Sequence, residues 1–293
     1  MDISTLAQKY PWIKHTNSVE EYLPPEYYKQ LLRPYMFNGA SDLQLLEKFL
    51  KDKQPPNILE LGCGSGRASS IAVSLIPQAM YTFSDLSKRM LETAKKNLPH
   101  KASFVIADAI EFMEKTKEQY DLIYTLWSFS HSTHQHMHRL GVEKAKQYIS
   151  LVIKKFIKEN MKSGGLFFLI HFDSLSDEQR ILMSQWKRIF PVFANTEQQS
   201  PSKQIIDQTL LDLDNQGLIN LSINHMHGDP IIYASENDIL ETFMNFHLET
   251  YFNTSPTVAD VVEDIKSQAE KYKNMDGSYT IRPGCYIYSF TKN

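Results

Sequence analysis

The sequence predicts an α/β protein built on a doubly wound, mostly parallel sheet. Short apolar segments alternate with helix-patterned segments from residue 57 onward, and the first of them runs directly into a glycine-rich turn that opens a helix. Carboxylates then close successive apolar segments at Glu60, Asp85 and Asp108, the arrangement expected along the carboxyl edge of parallel strands.

The first of these segments, Asn57–Ser69, reads NILELGCGSGRAS. Ile58-Leu59-Glu60-Leu61 is short and apolar, with Pro55-Pro56 before it and glycines after it, which predicts a buried strand ending in a tight turn. Gly62, Gly64 and Gly66 remove side chains where backbone has to approach a ligand, and the helix that follows points free N–H groups into the turn. The spacing is G-x-G-x-G. The dinucleotide fingerprint G-x-G-x-x-G places its third glycine one residue later, where this chain has Arg67. Glu60, two residues before the first glycine, suits an ammonium group better than a phosphate. On these residues the stretch resembles motif I of the class I S-adenosylmethionine (SAM)-dependent methyltransferases, E/D-x-G-x-G-x-G, and SAM is the cofactor that the resemblance implies.

The next strand, Met80–Ser84, ends at Asp85, which lies 19 residues beyond Gly66. One βα unit returns to the same sheet edge over that distance, so Asp85 is placed to accept both ribose hydroxyl hydrogens. Leu86-Ser87 and Met90-Leu91 resemble the D-x-S-x-x-M-L continuation of the same family, with Leu86 beside the cofactor. The third strand, Ala102–Ile106, leads to Asp108-Ala109, the acidic-then-small pair that in the family holds the adenine amino group. The fourth, Tyr120–Leu126, leads into Trp127-Ser128-Phe129-Ser130-His131, the position where acceptor chemistry occurs in a doubly wound sheet. Trp127 is expected to meet the cofactor and, with Phe129, Tyr27 and Tyr28, to wall the acceptor pocket. His131, His134 and His171 are the candidate general bases. His131, His134 and His138 share a face if the stretch is helical, but no acid or cysteine accompanies them, so a metal is not expected.

A long helix from about Val142 to Met161 and the phrase MKSGGLFFLI, similar to the family's L-K-P-G-G segment, lead to a fifth strand, Leu166–Ile170. Helices are expected from Ser176 to Phe190 and over Ser202–Asn215, then a sixth strand at Leu218–His225, extended by Ile231–Tyr233 as a hairpin. Cys285–Phe290 is the last strand, which the resemblance implies is reversed and at the sheet edge. The complete reading is a seven-stranded sheet in four parts: N-terminal helices over residues 1–55, which the resemblance implies form a lid over the cofactor, a SAM-binding core over 56–175, a helical cap insertion over 176–217, and the rest of the sheet with further helices over 218–293.

Composition narrows the function. The 293 residues suffice for a sizeable core, and 42% hydrophobic with 22% charged residues is ordinary for a globular protein. A net charge of -3 supplies no general field for nucleic acid. The opening MDISTLAQKYPW lacks a basic leader, no apolar run reaches the ~18 residues of a membrane span, and Cys63 and Cys285 read as reduced thiols, which together predict a cytoplasmic protein. The resemblance implies methyl transfer from SAM to an O, N, S or C nucleophile of a small molecule. Three alternatives remain at this level: an enzyme using a different arm of SAM, a nicotinamide oxidoreductase disfavoured by Arg67 and Glu60, and a non-catalytic SAM-binding subunit. The acceptor and oligomeric state are not legible.

Overall fold

The computed structural model describes residues 3–13, 32–98, 102–189, 198–248, 251–253 and 255–293. Its centre is a seven-stranded sheet of β1 (Asn57–Leu61), β2 (Met80–Asp85), β3 (Ser103–Ile106), β4 (Tyr120–Leu126), β5 (Met161–Phe172), β6 (Ile219–His227) and β7 (Gly284–Lys292). The spatial order is β3-β2-β1-β4-β5-β7-β6. β1 pairs in parallel with β2 on one side and β4 on the other, so the strand order reverses at β1 and leaves a crevice at its carboxyl end.

The helices of this unit are α1 (Asp42–Leu50), α2 (Arg67–Leu75), α3 (Lys88–Asn97), α4 (Ala109–Lys115), α5 (Phe129–Leu140), α6 (Val142–Asn160) and α7 (Pro201–Asn215). Parallel strands need crossover connections, here made through helices, and in keeping with that β1 and β4 are buried almost throughout. Leu61, Phe129, Ile153, Phe156, Phe167 and Leu169 meet in the apolar interior under α5 and α6. Ser41 starts α1 with a capping box, exchanging hydrogen bonds with Gln44.

The last strand is reversed, as expected, but it is not an edge strand. β7 runs antiparallel to β5, with Cys285 opposite Phe172 and Thr291 opposite Leu166, and β6 lies outside it. Tyr288 and Phe290 are buried in β7 while β6 is mostly exposed, so the more apolar strand takes the inner position. Ile231–Tyr233 does not extend β6 as a hairpin; it pairs antiparallel with Tyr279–Ile281 in a separate two-stranded sheet.

That small sheet belongs to a second unit, comprising residues 1–39, 174–196 and 227–284. Its own core is formed by Leu6 of the helix Ile3–Lys9 and Tyr10 just after it, Ile181 of the helix Asp177–Trp186, Phe243 and Met244, and Val261 and Ile265 of the helix Val258–Ala269. The sheet unit takes residues 40–173, 197–226 and 285–293, which differs from the four-part division expected from sequence. α1 falls with the core because Asp42 is buried against Arg67, and α7 does so because it packs on α6. No described helix is long and apolar enough to cross a membrane.

Candidate active site

At the carboxyl end of β1 the chain turns through Gly62, Gly64 and Gly66, each at positive φ. Gly62 N–H and Cys63 N–H both donate to the Ser84 carbonyl, fastening the turn to β2. A Cβ on Gly62 would fall 2.1 Å from Ser128 Oγ, so only glycine lets the segment after β4 come this close. Gly66, at φ +89°, is the left-handed N-cap of α2 and provides no side-chain cap, leaving the first N–H groups of α2 directed at the turn. The Cβ position of Gly64 meets nothing within 4 Å, which marks the open face of the turn.

Asp85 ends β2 beside this face. Its Oδ2 accepts from Gly64 N–H at 2.8 Å and its Oδ1 from Ser87 N–H at 2.8 Å. Burial pushes its pKa up, and the two backbone N–H groups oppose that shift. Each carboxylate oxygen has a second lone pair for a ligand hydroxyl. Leu86, immediately after it, is 41% exposed, and Ile106, which the strand register sets beside Asp85, is 56% exposed. An acidic group flanked by two solvent-facing apolar side chains fits a ribose with an adjoining flat base. Ala109 is buried at the start of α4.

Glu60 lies behind the turn instead of in the open crevice. It is buried, and its Oε2 accepts from Ser69 Oγ of α2 at 2.5 Å and from Tyr124 OH of β4 at 2.8 Å. Burial raises its pKa to about 7 against the two hydrogen bonds. Inward-pointing residues of a buried parallel strand face helices, which is why the side chain finds α2 before it can find a ligand.

Asp108 also has its oxygens engaged by protein. Oδ1 caps α4 by accepting from Ile110 N–H at 2.9 Å and Glu111 N–H at 3.2 Å, and it pairs with His136 Nε2 at 3.0 Å. Oδ2 accepts from Ser132 Oγ at 2.6 Å. Burial works to raise the pKa of Asp108, yet the bonds from His136, Ser132 and the backbone outweigh it and hold the carboxyl below the usual aspartate range.

The stretch after β4 is helix α5. Trp127 precedes it at φ +65°, a left-handed conformation for a bulky residue; its Nε1–H donates to Asp42 Oδ2 at 2.7 Å and its ring lies 4.7 Å from that of Phe172. Phe129 points into the apolar interior with Leu61 and Phe156, so it does not wall an open pocket as expected. The first turn of a helix lying on a sheet presents one side inward, and Phe129 occupies it.

Of the three histidines expected as bases, His171 is not available. It is buried in β5, its Nδ1–H donates to the Phe172 carbonyl, and its Nε2 then accepts from Ser202 Oγ at 3.1 Å. Burial lowers its pKa to about 4, and burial together with His171 and His131 lowers that of His134 to about 3. His131 remains exposed on α5, its Nε2 2.9 Å from the Gln135 amide nitrogen. Tyr27 and Tyr28 lie outside the described residues.

Asp42, Ser69, Tyr124, Ser132 and His136 belong to the site without standing in any motif. Only the Ser132-x-x-x-His136 spacing, which puts two donors on one helical face, hinted at a shared acceptor. The cysteines are free, and both are buried.

A doubly wound sheet with this strand order, a reversed strand beside β5 and a glycine turn backed by Asp85 defines a class I, Rossmann-like, SAM-dependent methyltransferase fold. Residues 58–147 match the family model described as a methyltransferase domain. It is 29% identical over 165 residues to the malonyl-(acyl-carrier protein) O-methyltransferase of Priestia megaterium, covering 56% of this chain and 54% of that protein. It is 38% identical over 87 residues to the protein of the same name from Halalkalibacterium halodurans, covering 28% of this chain and 32% of that one. The chain therefore spans about half or less of the length of these relatives. A crystal structure from Bacillus halodurans C-125, provisionally described as a methyltransferase, shares the fold with a TM-score of 0.51 at 14% identity, covering 86% of this chain and 98% of that one.

Proposed function

We propose that the protein transfers the methyl group of SAM to a nucleophilic atom of a small-molecule acceptor. The observation that carries this reading is Asp85, whose carboxylate holds the glycine turn through Gly64 N–H while facing two exposed apolar side chains. Asp85 accepts hydrogens from the ribose hydroxyls, and Leu86 and Ile106 flank the base. Asp108 defines the adenine end by fixing the starts of α4 and α5, and holds the adenine amino group through whatever lone-pair capacity its four protein donors leave. Glu60 sets the turn from behind by tying β1 to α2 and β4.

SAM supplies an electrophilic methyl on a sulfonium that is already a good leaving group. The chain's task is then alignment and exclusion of water. A hydroxyl or ammonium acceptor must lose a proton, and His131 is the described candidate with an exposed ring. The relatives named for malonyl carrier substrates make a carboxylate oxygen a reasonable first acceptor to test; it needs no base. The chain's charge of -3 and its two buried free thiols favour a cytoplasmic, small-molecule role over a nucleic-acid one.

Incubation with SAM and candidate acceptors, followed by mass spectrometry, tests the reading. S-adenosylhomocysteine (SAH) should accumulate together with an acceptor heavier by one methylene. Methylthioadenosine as the product would instead show that another arm of SAM is transferred.

A further inference from the structure

Asp42 stands at the first position of α1, outside every motif, and is 1% exposed. Its carboxylate is fully occupied. Oδ1 accepts from Leu43 N–H at 2.9 Å and from the Arg67 guanidinium at 2.9 Å; Oδ2 accepts from Trp127 Nε1–H at 2.7 Å and from the second guanidinium nitrogen of Arg67. The two partners are far from it in sequence, and each occupies a particular place. Arg67 is the first residue after the glycine turn, next to the left-handed Gly66. Trp127 is the first residue after β4, itself left-handed, with its N–H donating to the Ile170 carbonyl of β5 at 3.0 Å.

We propose that Asp42 is a positioning residue that locks the cofactor turn and the segment following β4 into one register, so that SAM binds a preset turn. The proposal rests on the reading that SAM occupies this turn. A fork-to-fork guanidinium–carboxylate contact fixes direction as well as distance, and here it fixes the N-terminal end of α2, whose N–H groups face the turn. Stability alone does not call for such a device: a buried ion pair can often be replaced by apolar side chains at little cost, whereas an apolar pair would carry no directional bond to hold the start of α2 or the Trp127 indole. Trp127 adds the second constraint. Its indole is held on one side by Asp42 and on the other by the Phe172 ring, so its left-handed backbone keeps one conformation.

The test is calorimetry of SAM and SAH binding to the full chain as wild type, Asp42→Asn, Arg67→Met, Trp127→Phe and Asp42→Asn/Arg67→Met, with a thermal melt of each. Asp42→Asn and Arg67→Met are each expected to weaken both ligands tenfold or more while melting cooperatively, and the double variant to bind no more weakly than the worse single one. In a Trp12→Phe/Trp186→Phe background, where Trp127 is the sole tryptophan, Asp42→Asn should shift the emission to the red. A merely structural role would lower the melting temperature and leave both affinities unchanged; that result in folded Asp42→Asn overturns the proposal. Should Asp42→Asn fail to fold, unchanged affinities in both Arg67→Met and Trp127→Phe overturn it equally. Wild type that binds neither SAM nor SAH refutes the cofactor reading first, which separates the two failures.

Discussion

The Ser128 hydroxyl occupies the place where a Cβ on Gly62 would have to go, 2.1 Å from its oxygen. Gly62 also sits at φ +73°. Gly62→Ala therefore meets two costs, a left-handed backbone worth about 1–2 kcal/mol and a steric conflict of about 1–3 kcal/mol. Denaturant melts should show Gly62→Ala destabilised by the sum and Gly62→Ala/Ser128→Gly relieved of the second part only. Full recovery in the double variant would mean that the backbone is unstrained.

Asp85→Ala removes acceptors for ribose hydroxyls and for Gly64 N–H together. Calorimetry should show SAM affinity lower by about 1.5–3 kcal/mol, the range for hydrogen bonds to a charged group. Wild-type affinity in this variant would place the ribose elsewhere.

Glu60 gives a pH signature with a definite sign. Its folded pKa is raised from 4.5 to about 7 by burial, so the unfolded chain releases the proton first as pH rises. Its contribution is fully present below pH ~4.5 and is lost as pH climbs towards ~7. Glu60→Gln keeps an acceptor for Ser69 and Tyr124 but cannot ionise. Its stability relative to wild type should rise between those pH values by up to about 3 kcal/mol. Parallel stability profiles would show that Glu60 is ionised throughout.

Asp108 behaves in the opposite way. Its carboxyl is held below the ordinary aspartate value by His136, Ser132 and backbone donors that overcome burial, so its contribution is present above pH ~4 and lost as pH falls through the folded pKa. Removing one donor in His136→Ala should cost about 1–3 kcal/mol at neutral pH, and less as the medium becomes more acidic. An equal cost at pH 3 and pH 7 would assign the loss to packing.

His131 can be separated from the turn by kinetics. Given an acceptor that must lose a proton, His131→Asn should lower turnover on the order of 10²-fold with SAM affinity unchanged. Retained turnover makes His131 dispensable, and a parallel fall in SAM affinity makes it a cofactor contact.

The parts of this protein that were legible in its sequence are those whose chemistry is local. A strand entering a glycine turn and a carboxylate closing the next strand are set by backbone sterics and hydrogen bonds among near neighbours, so Asn57–Ser69, Asp85 and the succession of strands and helices through the first four strands could be read directly. Tertiary structure decided which groups those residues meet. Glu60 and Asp108 look like open ligands in the sequence, but burial supplies Ser69 and Tyr124 to one and Ser132 and His136 to the other, and shifts their pKa values in opposite directions. Phe129 and His171 were eligible by position and are taken up by the interior, because a helix and a strand each present one face to it. Cys285–Phe290 was predictable as a strand, yet its place inside β6 depends on competition between two strands for the buried position. Asp42 carries no local signal at all: its partners lie 25 and 85 residues away, and only the packing of α1 against α2 brings the carboxylate to Arg67 and Trp127.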